Sequence, residues 1–305
     1  MTTHIIIDFS YLYYKYKFQR EYGRIRELTA EVDGKSLDIT NIYYPLKEVE
    51  AFRKQVESSN NRCKISICFD SKSFRKELET GGENVYKQNR TSKLNTTDFD
   101  NLDIIHEILS DAGYNTYKVD GLEADDIVTT LINRYREDFD TNLICTPDSD
   151  LLVDIDKHTI VNRYKSKSGH SLVTMENFEE YCQNEFKCNI KYNAILLYKC
   201  TCGDKSDNVA GIKRFGPSGY NKLVVELDRM GIDWGNLRDS VYVEYILKKC
   251  KDYLGMDKVR EALASLALVK PVILSENEVS YPEKSSSSEL REEAYMKFKM
   301  KSLVD

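Results

Sequence analysis

Four apolar runs in this chain each lead into acids, and helix-patterned sequence fills the gaps between them. Residues 4–7 are followed by Asp8, and residues 64–69 by Asp70. Residues 142–145 lead through Thr146-Pro147 into Asp148 and Asp150. Residues 114–119 precede a turn after which Glu123, Asp125 and Asp126 open a helix-patterned segment. Short apolar strands alternating with amphipathic helices predict an α/β fold with a twisted, mostly parallel central sheet and helices on both sides. In such a sheet the carboxyl ends of the strands line one crevice, where ligands bind. Acids far apart in sequence are therefore expected to meet in space.

The remaining pattern sets the organisation. An aromatic helix is predicted over 9–18, a hairpin over 24–40 turning at Asp33-Gly34, and a helix over 45–57 with Pro45 in its first turn. Residues 71–97 are polar and basic and read as an insertion. Helices are predicted from Asp98 to Ala112 and from Glu123 to Glu137, then a second hairpin pairing 159–164 with 171–174. Helical patterns follow over 175–185, 192–200, 219–230, 241–252 and 257–267. The expected division is a catalytic α/β domain over 1–180, a helical region over 181–283 and a charged tail over 284–305.

Gathering this many carboxylates raises their pKa values or forces them apart unless cations neutralise them. Gly203-Asp204-Lys205-Ser206-Asp207-Asn208 adds two further acids. An all-oxygen donor set suits Mg2+ or Mn2+, and two such ions are suited to phosphodiester hydrolysis. Any one of these acids could instead cap a helix, and Asp126 fits that reading as well as a metal-facing one. The net charge of −6 hides a split: residues 120–156 carry eleven acids and two bases, so the rest of the chain is net positive. That split suits a protein that binds cations at one point and phosphates around it.

Other chemistries are excluded by what the chain lacks. Its four histidines stand beside no nucleophile, and no segment has the Gly and terminal Glu of an EF-hand. Among eight cysteines, Cys182, Cys188, Cys200 and Cys202 have spacings unlike a zinc site. No run reaches 18 apolar residues, and the N-terminus has no signal-peptide pattern, so no membrane association and a cytoplasmic setting are expected.

Five motifs, Ile6-Ile7-Asp8, Cys68-Phe69-Asp70, Gly121-Leu122-Glu123-Ala124-Asp125-Asp126, Thr146-Pro147-Asp148-Ser149-Asp150 and the 203–208 loop, together resemble the flap endonuclease family, in its phage and bacterial 5′-nuclease branch. The resemblance runs over roughly residues 4–225. It implies a PIN-like fold with a helical arch and a helix-hairpin-helix-like loop. It also implies a structure-specific 5′ nuclease, acting as flap endonuclease, 5′-3′ exonuclease and RNA-primer-removing RNase H in replication or repair. By it, Asp8, Asp70, Glu123, Asp125 and Asp148 would hold the first of two Mg2+ or Mn2+ ions. Asp148, Asp150, Asp204 and Asp207 would surround the second, with Asp126 in the outer shell.

Residues 71–97 would form the arch, with Arg75, Lys76, Lys87 and Arg90 as its basic motif. Lys87 and Arg90, three apart, would share a helix face and meet the scissile phosphate. Tyr14 stands where the family stacks an aromatic ring on a base. The segment from Gly211 to Tyr220 resembles the loop that grips duplex backbone, through Gly211, Lys213, Arg214, Gly216 and Lys222. Arg214 replaces a family Gly and the loop is one residue short, which bears on the K+ ion that the family holds there. The implied partners are branched or 5′-ended duplex DNA, RNA–DNA hybrid and replication proteins, bound by a monomer. Two rival readings are a non-catalytic binder of branched DNA on the same scaffold and a single-domain ribonuclease with a similar acid cluster.

Overall fold

The computed structural model describes residues 2–32, 34–58, 62–71, 73–77, 87, 95–165, 169–275 and 284–304. Strand β1 (Thr2–Asp8) runs directly into α1 (Phe9–Glu21). The hairpin β2 (Thr29–Val32) and β3 (Lys35–Asp38) leads to α2 (Thr40–Glu57), β4 (Arg62–Phe69) and α3 (Thr96–Asp111). Then come β5 (Asn115–Lys118), α4 (Ala124–Tyr135), β6 (Thr141–Thr146) and the hairpin β7 (Thr159–Lys165) and β8 (Gly169–Val173). The C-terminal half is helical: α5 (Phe178–Phe186), α6 (Ile195–Cys202), α7 (Gly216–Met230), α8 (Ser240–Lys249), α9 (Lys251–Leu254), α10 (Met256–Val269) and α11 (Ser288–Lys297).

The sheet order is β5-β4-β1-β6-β7-β8, parallel throughout except for the β7–β8 hairpin. The chain builds outward from β1 on one side, then returns to build on the other. The gap between β1 and β6 is therefore the switch point at which open α/β sheets form their ligand crevice. Alternation along β1 sends Ile5 and Ile7 into one core and Ile6 into the other. Both faces are covered, which is why these strands read as continuous apolar runs rather than alternating ones.

Two expectations change. Helix α2 starts at Thr40, not at Pro45. Its first turn is already held by Asp38 Oδ1, which accepts the Thr40 N–H at 3.0 Å, and by Ile39 O, which accepts the N–H groups of Ile42 and Tyr43. Pro45 then sits one turn in, where its missing N–H deprives only the Asn41 carbonyl.

The C-terminal segment is not a loose tail. Helix α11 packs against α3, with Ala294, Tyr295, Met300 and Leu303 buried in the core beneath β1 and β4. The Tyr295 hydroxyl donates to Glu50, which also accepts from Tyr114 at 2.6 Å and from Arg53 at 2.7 Å. Upstream, Asn115 and Lys284 exchange backbone and side-chain bonds at 3.0 and 3.3 Å. Gly113 is required there, since a Cβ would stand 2.9 Å from the Ser286 Cα. Tyr295→Ala is expected to lower stability by about 3–5 kcal/mol through a core cavity. Urea denaturation of the full chain checks this, and a change below about 1 kcal/mol would show that α11 contributes no core.

Candidate active site

Asp8 ends β1 and is buried; its Oδ2 accepts the Thr146 hydroxyl from neighbouring β6 at 3.0 Å. Its Oδ1 has no hydrogen-bond partner among the described residues. Burial, then repulsion from Asp70 and Asp148, pushes the Asp8 pKa up to about 8, against the Thr146 bond. Asp70, just past β4, accepts the Ser10 hydroxyl at 2.5 Å and the Ala124 N–H at 2.8 Å. The last bond fixes the start of α4, which carries Asp125.

Past β6 the chain turns tightly. The Thr146 hydroxyl accepts the Asp148 N–H at 3.0 Å, and Asp148 Oδ1 accepts the Asp150 N–H at 3.0 Å. Carboxylate oxygens of Asp125, Asp148 and Asp150 lie within 4.8 Å of one another. Among the described residues no other group of three His, Cys, Asp or Glu side chains comes so close, and this includes the four cysteines of the 182–202 segment. Burial, then Asp148 and Asp8, raises the Asp125 pKa well above the usual carboxylate range. An orphaned buried oxygen, two raised pKa values and an all-oxygen donor set fit a divalent cation of the Mg2+ or Mn2+ type.

The 203–208 loop approaches from α6. A Cβ on Gly203 would fall 2.6 Å from the Val209 carbonyl, so the loop needs glycine to close on itself. Lys199 on α6, only 3% exposed, contacts Asp150 and bonds Asp204 at 2.7 Å. Burial alone would raise the Asp204 pKa, but Lys199 and two bonds from Ser206 bring it down to about 2. Asp207 is buried beside Lys87, whose Nζ stands 3.5 Å from it and whose N–H donates to the Asp207 carbonyl at 2.9 Å. Sequence reading missed Lys199. The available signal was a lone lysine inside the apolar run 195–200, five residues before Asp204.

Three expected site residues have partners within the protein. Arg75 is buried and does not face outward: it bonds both Asp126 oxygens at 2.7 Å, Glu123 at 3.3 Å and the Lys270 carbonyl at 2.9 Å. Asp126 also accepts the Val272 N–H at 2.8 Å and the Glu123 N–H at 3.4 Å, so its carboxylate caps the first turn of α4, as the capping reading expects, and ties it to the arginine and to the segment after α10. The helix face that Lys87 is expected to share with Arg90 lies outside the described residues, and Lys87 itself has φ +55°. Its Nζ reaches Glu123 at the N-cap of α4. Arg90 and the Lys76 side chain lie outside the described residues.

Of the aromatic run, Tyr11 and Tyr13 are core residues, whereas Tyr14 is half-buried with its ring 6.3 Å from that of Phe18. In the loop before α7 and at its first residue, Gly211, Arg214 and Gly216 all have left-handed φ. Lys213, Arg214 and Lys222 are exposed, and Gly211 packs on Gly203 so closely that a Cβ would lie 2.3 Å from the Gly203 N. The departure of Arg214 from glycine is therefore accommodated as a left-handed non-Gly residue.

The raised Asp8 pKa gives a pH dependence in chelator. Unfolded Asp8 ionises near the ordinary value of 3.8, and folded Asp8 only near 8. Across that window the folded state binds the extra proton, so stability falls as pH rises, by about 1.4 kcal/mol per unit for one such group. The thermal midpoint in chelator is expected to drop from pH 5 to pH 8, and Mn2+ to restore it at pH 8. A midpoint that is flat or rising over this range would contradict the burial of Asp8 as an acid.

Residues 3–185 match the family model described as the 5′-3′ exonuclease N-terminal, resolvase-like domain. The chain is similar to DNA polymerase I of Caldicellulosiruptor bescii, 28% identical over 180 residues, 57% of this chain and 20% of that protein. It is also similar to the 5′-3′ exonuclease of Mycoplasmopsis pulmonis, 24% identical over 213 residues, 70% of this chain and 61% of that protein. The chain thus spans under two thirds of each of these relatives. Among solved structures, the bacteriophage T5 5′-exonuclease with bound zinc shares the fold at TM-score 0.52 and 14% identity, over 88% of this chain and 99% of that one. The bacteriophage T5 flap endonuclease with DNA and metal ions gives the same values.

Proposed function

This chain belongs to the 5′-3′ exonuclease family, and from that premise we propose that it is a structure-specific, metal-dependent 5′ nuclease that hydrolyses phosphodiesters at 5′ flaps and duplex ends. The observation that carries the reading is the convergence of the Asp125, Asp148 and Asp150 carboxylates at the β1–β6 switch point. Asp8, Asp70, Glu123, Asp125 and Asp148 would hold one Mg2+ or Mn2+, and Asp148, Asp150, Asp204 and Asp207 the other. When bound, such ions lower the pKa of a water and stabilise the leaving oxygen.

The chain's own side chains do the rest. Lys87, anchored beside Glu123 and Asp207, would meet the scissile phosphate and offset the charge that develops there. Tyr14 offers a ring for stacking on the base beside the cut. In the loop running into α7 the N–H groups of Gly211, Ile212, Lys213 and Phe215 are taken by Ser265, Thr201, Glu261 and Ile212, so the exposed side chains of Lys213, Arg214 and Lys222 would supply the charge for a duplex phosphate. The working division is a catalytic part over 1–180 and a duplex-gripping part over 181–283. The proposed setting is primer and flap removal in DNA replication or repair, as a cytoplasmic monomer.

The test is cleavage of a 5′-labelled flap and of a nicked RNA–DNA duplex, with Mg2+ and with chelator. Metal-dependent product supports the nuclease, and its length separates flap cutting from exonucleolytic cutting. Tight binding with no product under any metal would favour the non-catalytic binder of branched DNA.

A further inference from the structure

We infer that Arg163 is a positioning residue, which sets the Asp148 and Asp150 carboxylates for cation binding by holding the Pro147 carbonyl. The inference rests on the metal-site reading above. Arg163 pairs in register with Thr146, the last residue of β6. One residue further on, the chain leaves the ladder, so the Pro147 carbonyl has no strand partner, and a proline has no N–H to anchor it either.

Arg163 supplies the missing partner. Its side chain is buried, its Nε donates to Pro147 O at 3.0 Å, and Nη2 donates to the same oxygen. The other end of that peptide unit, the Asp148 N–H, donates to the Thr146 hydroxyl at 3.0 Å. The 147–148 peptide is thus held at both its carbonyl and its amide, and the Asp148 side chain starts from a fixed plane. Asp150 follows, because its N–H is bonded to the Asp148 carboxylate.

The guanidinium is itself braced by α5. Nη1 donates to the Tyr181 hydroxyl at 2.7 Å and lies 3.4 Å from Glu185, which also pairs with Lys165. A planar fork with five donors satisfies Pro147, Tyr181 and Glu185 together; a lysine ammonium offers a single point and cannot. A buried cation contributes little net stability compared with an apolar residue of the same size, so the arrangement is better explained by what it orients.

Outer groups that orient metal ligands typically change metal affinity by roughly 10–100-fold. The experiment is a calorimetric Mn2+ titration of the metal-free full chain, for wild type, Arg163→Lys and Tyr181→Phe, with thermal midpoints in chelator. Arg163→Lys is expected to remain folded and bind Mn2+ at least about 10-fold more weakly. Tyr181→Phe is expected to weaken binding in the same direction by less, and it carries the test if Arg163→Lys does not fold. A role in stability alone would lower the midpoint and leave the affinity of the folded protein unchanged. Folded variants that bind Mn2+ as wild type does, including not at all, overturn the inference. Intact wild-type Mn2+ binding without any cleavage would instead count against the nuclease reading and leave Arg163 in place.

Discussion

Asp148→Asn is expected to reduce metal-dependent cleavage by about a thousandfold or more, about 4 kcal/mol of barrier, while leaving substrate binding in chelator intact. Asp148 belongs to the close triad with Asp125 and Asp150 and is the residue common to both proposed cation positions. The substitution keeps shape, removes the charge that both positions share and replaces one of the two ligand oxygens by an NH2 group that cannot bind a cation. It should also have the opposite effect on the fold. Asp148 is among the charges that raise the pKa of Asp8 and is the largest charge acting on Asp125. Removing it relieves that repulsion, and the thermal midpoint in chelator is expected to rise. Single-turnover cleavage of a labelled flap, with melting curves of the same preparations, reads both effects. Activity within tenfold of wild type would remove Asp148 from the chemistry, and an unchanged midpoint would place it outside the repulsive cluster.

Lys199→Met should produce the largest loss of stability of any single change at the site. The ammonium is buried between Asp150 and Asp204, and an apolar replacement leaves two carboxylates facing each other without a counter-charge. Breaking a buried pair by removing one partner costs about 3–5 kcal/mol. The loss should be greatest in chelator and smaller with Mn2+, because a divalent cation supplies the same positive charge at the same carboxylates. Urea denaturation under both conditions checks this. Equal losses with and without Mn2+ would separate Lys199 from the cation position, and no loss would mean that the two carboxylates do not depend on it.

The acids that close β1, β4 and β6 were readable because each obeys a local rule. A strand covered on both faces must be apolar along its length, and a charge can stand only where the strand stops. The same applies to Glu123 and Asp125, which begin a helix with a clear apolar face. Asp126 was open between capping and a metal-facing role, and it caps the first turn of α4 by accepting the Glu123 N–H. Its further pairing with Arg75 and Val272, respectively 51 and 146 residues away, had no local signal.

Sequence by itself determined the alternating strands and helices and the acids at their ends. Those depend on burial and backbone geometry over a few residues. Tertiary structure alone decided that Arg75 turns inward, that Lys199 neutralises Asp150 and Asp204, that Arg163 holds the peptide before Asp148, and that Ala294, Tyr295, Met300 and Leu303 join the core. These are long-range pairings of charges and apolar faces. A cation in sequence carries no mark of its partner, because electrostatic and hydrophobic free energies depend on distance and burial, which exist only once the chain has folded.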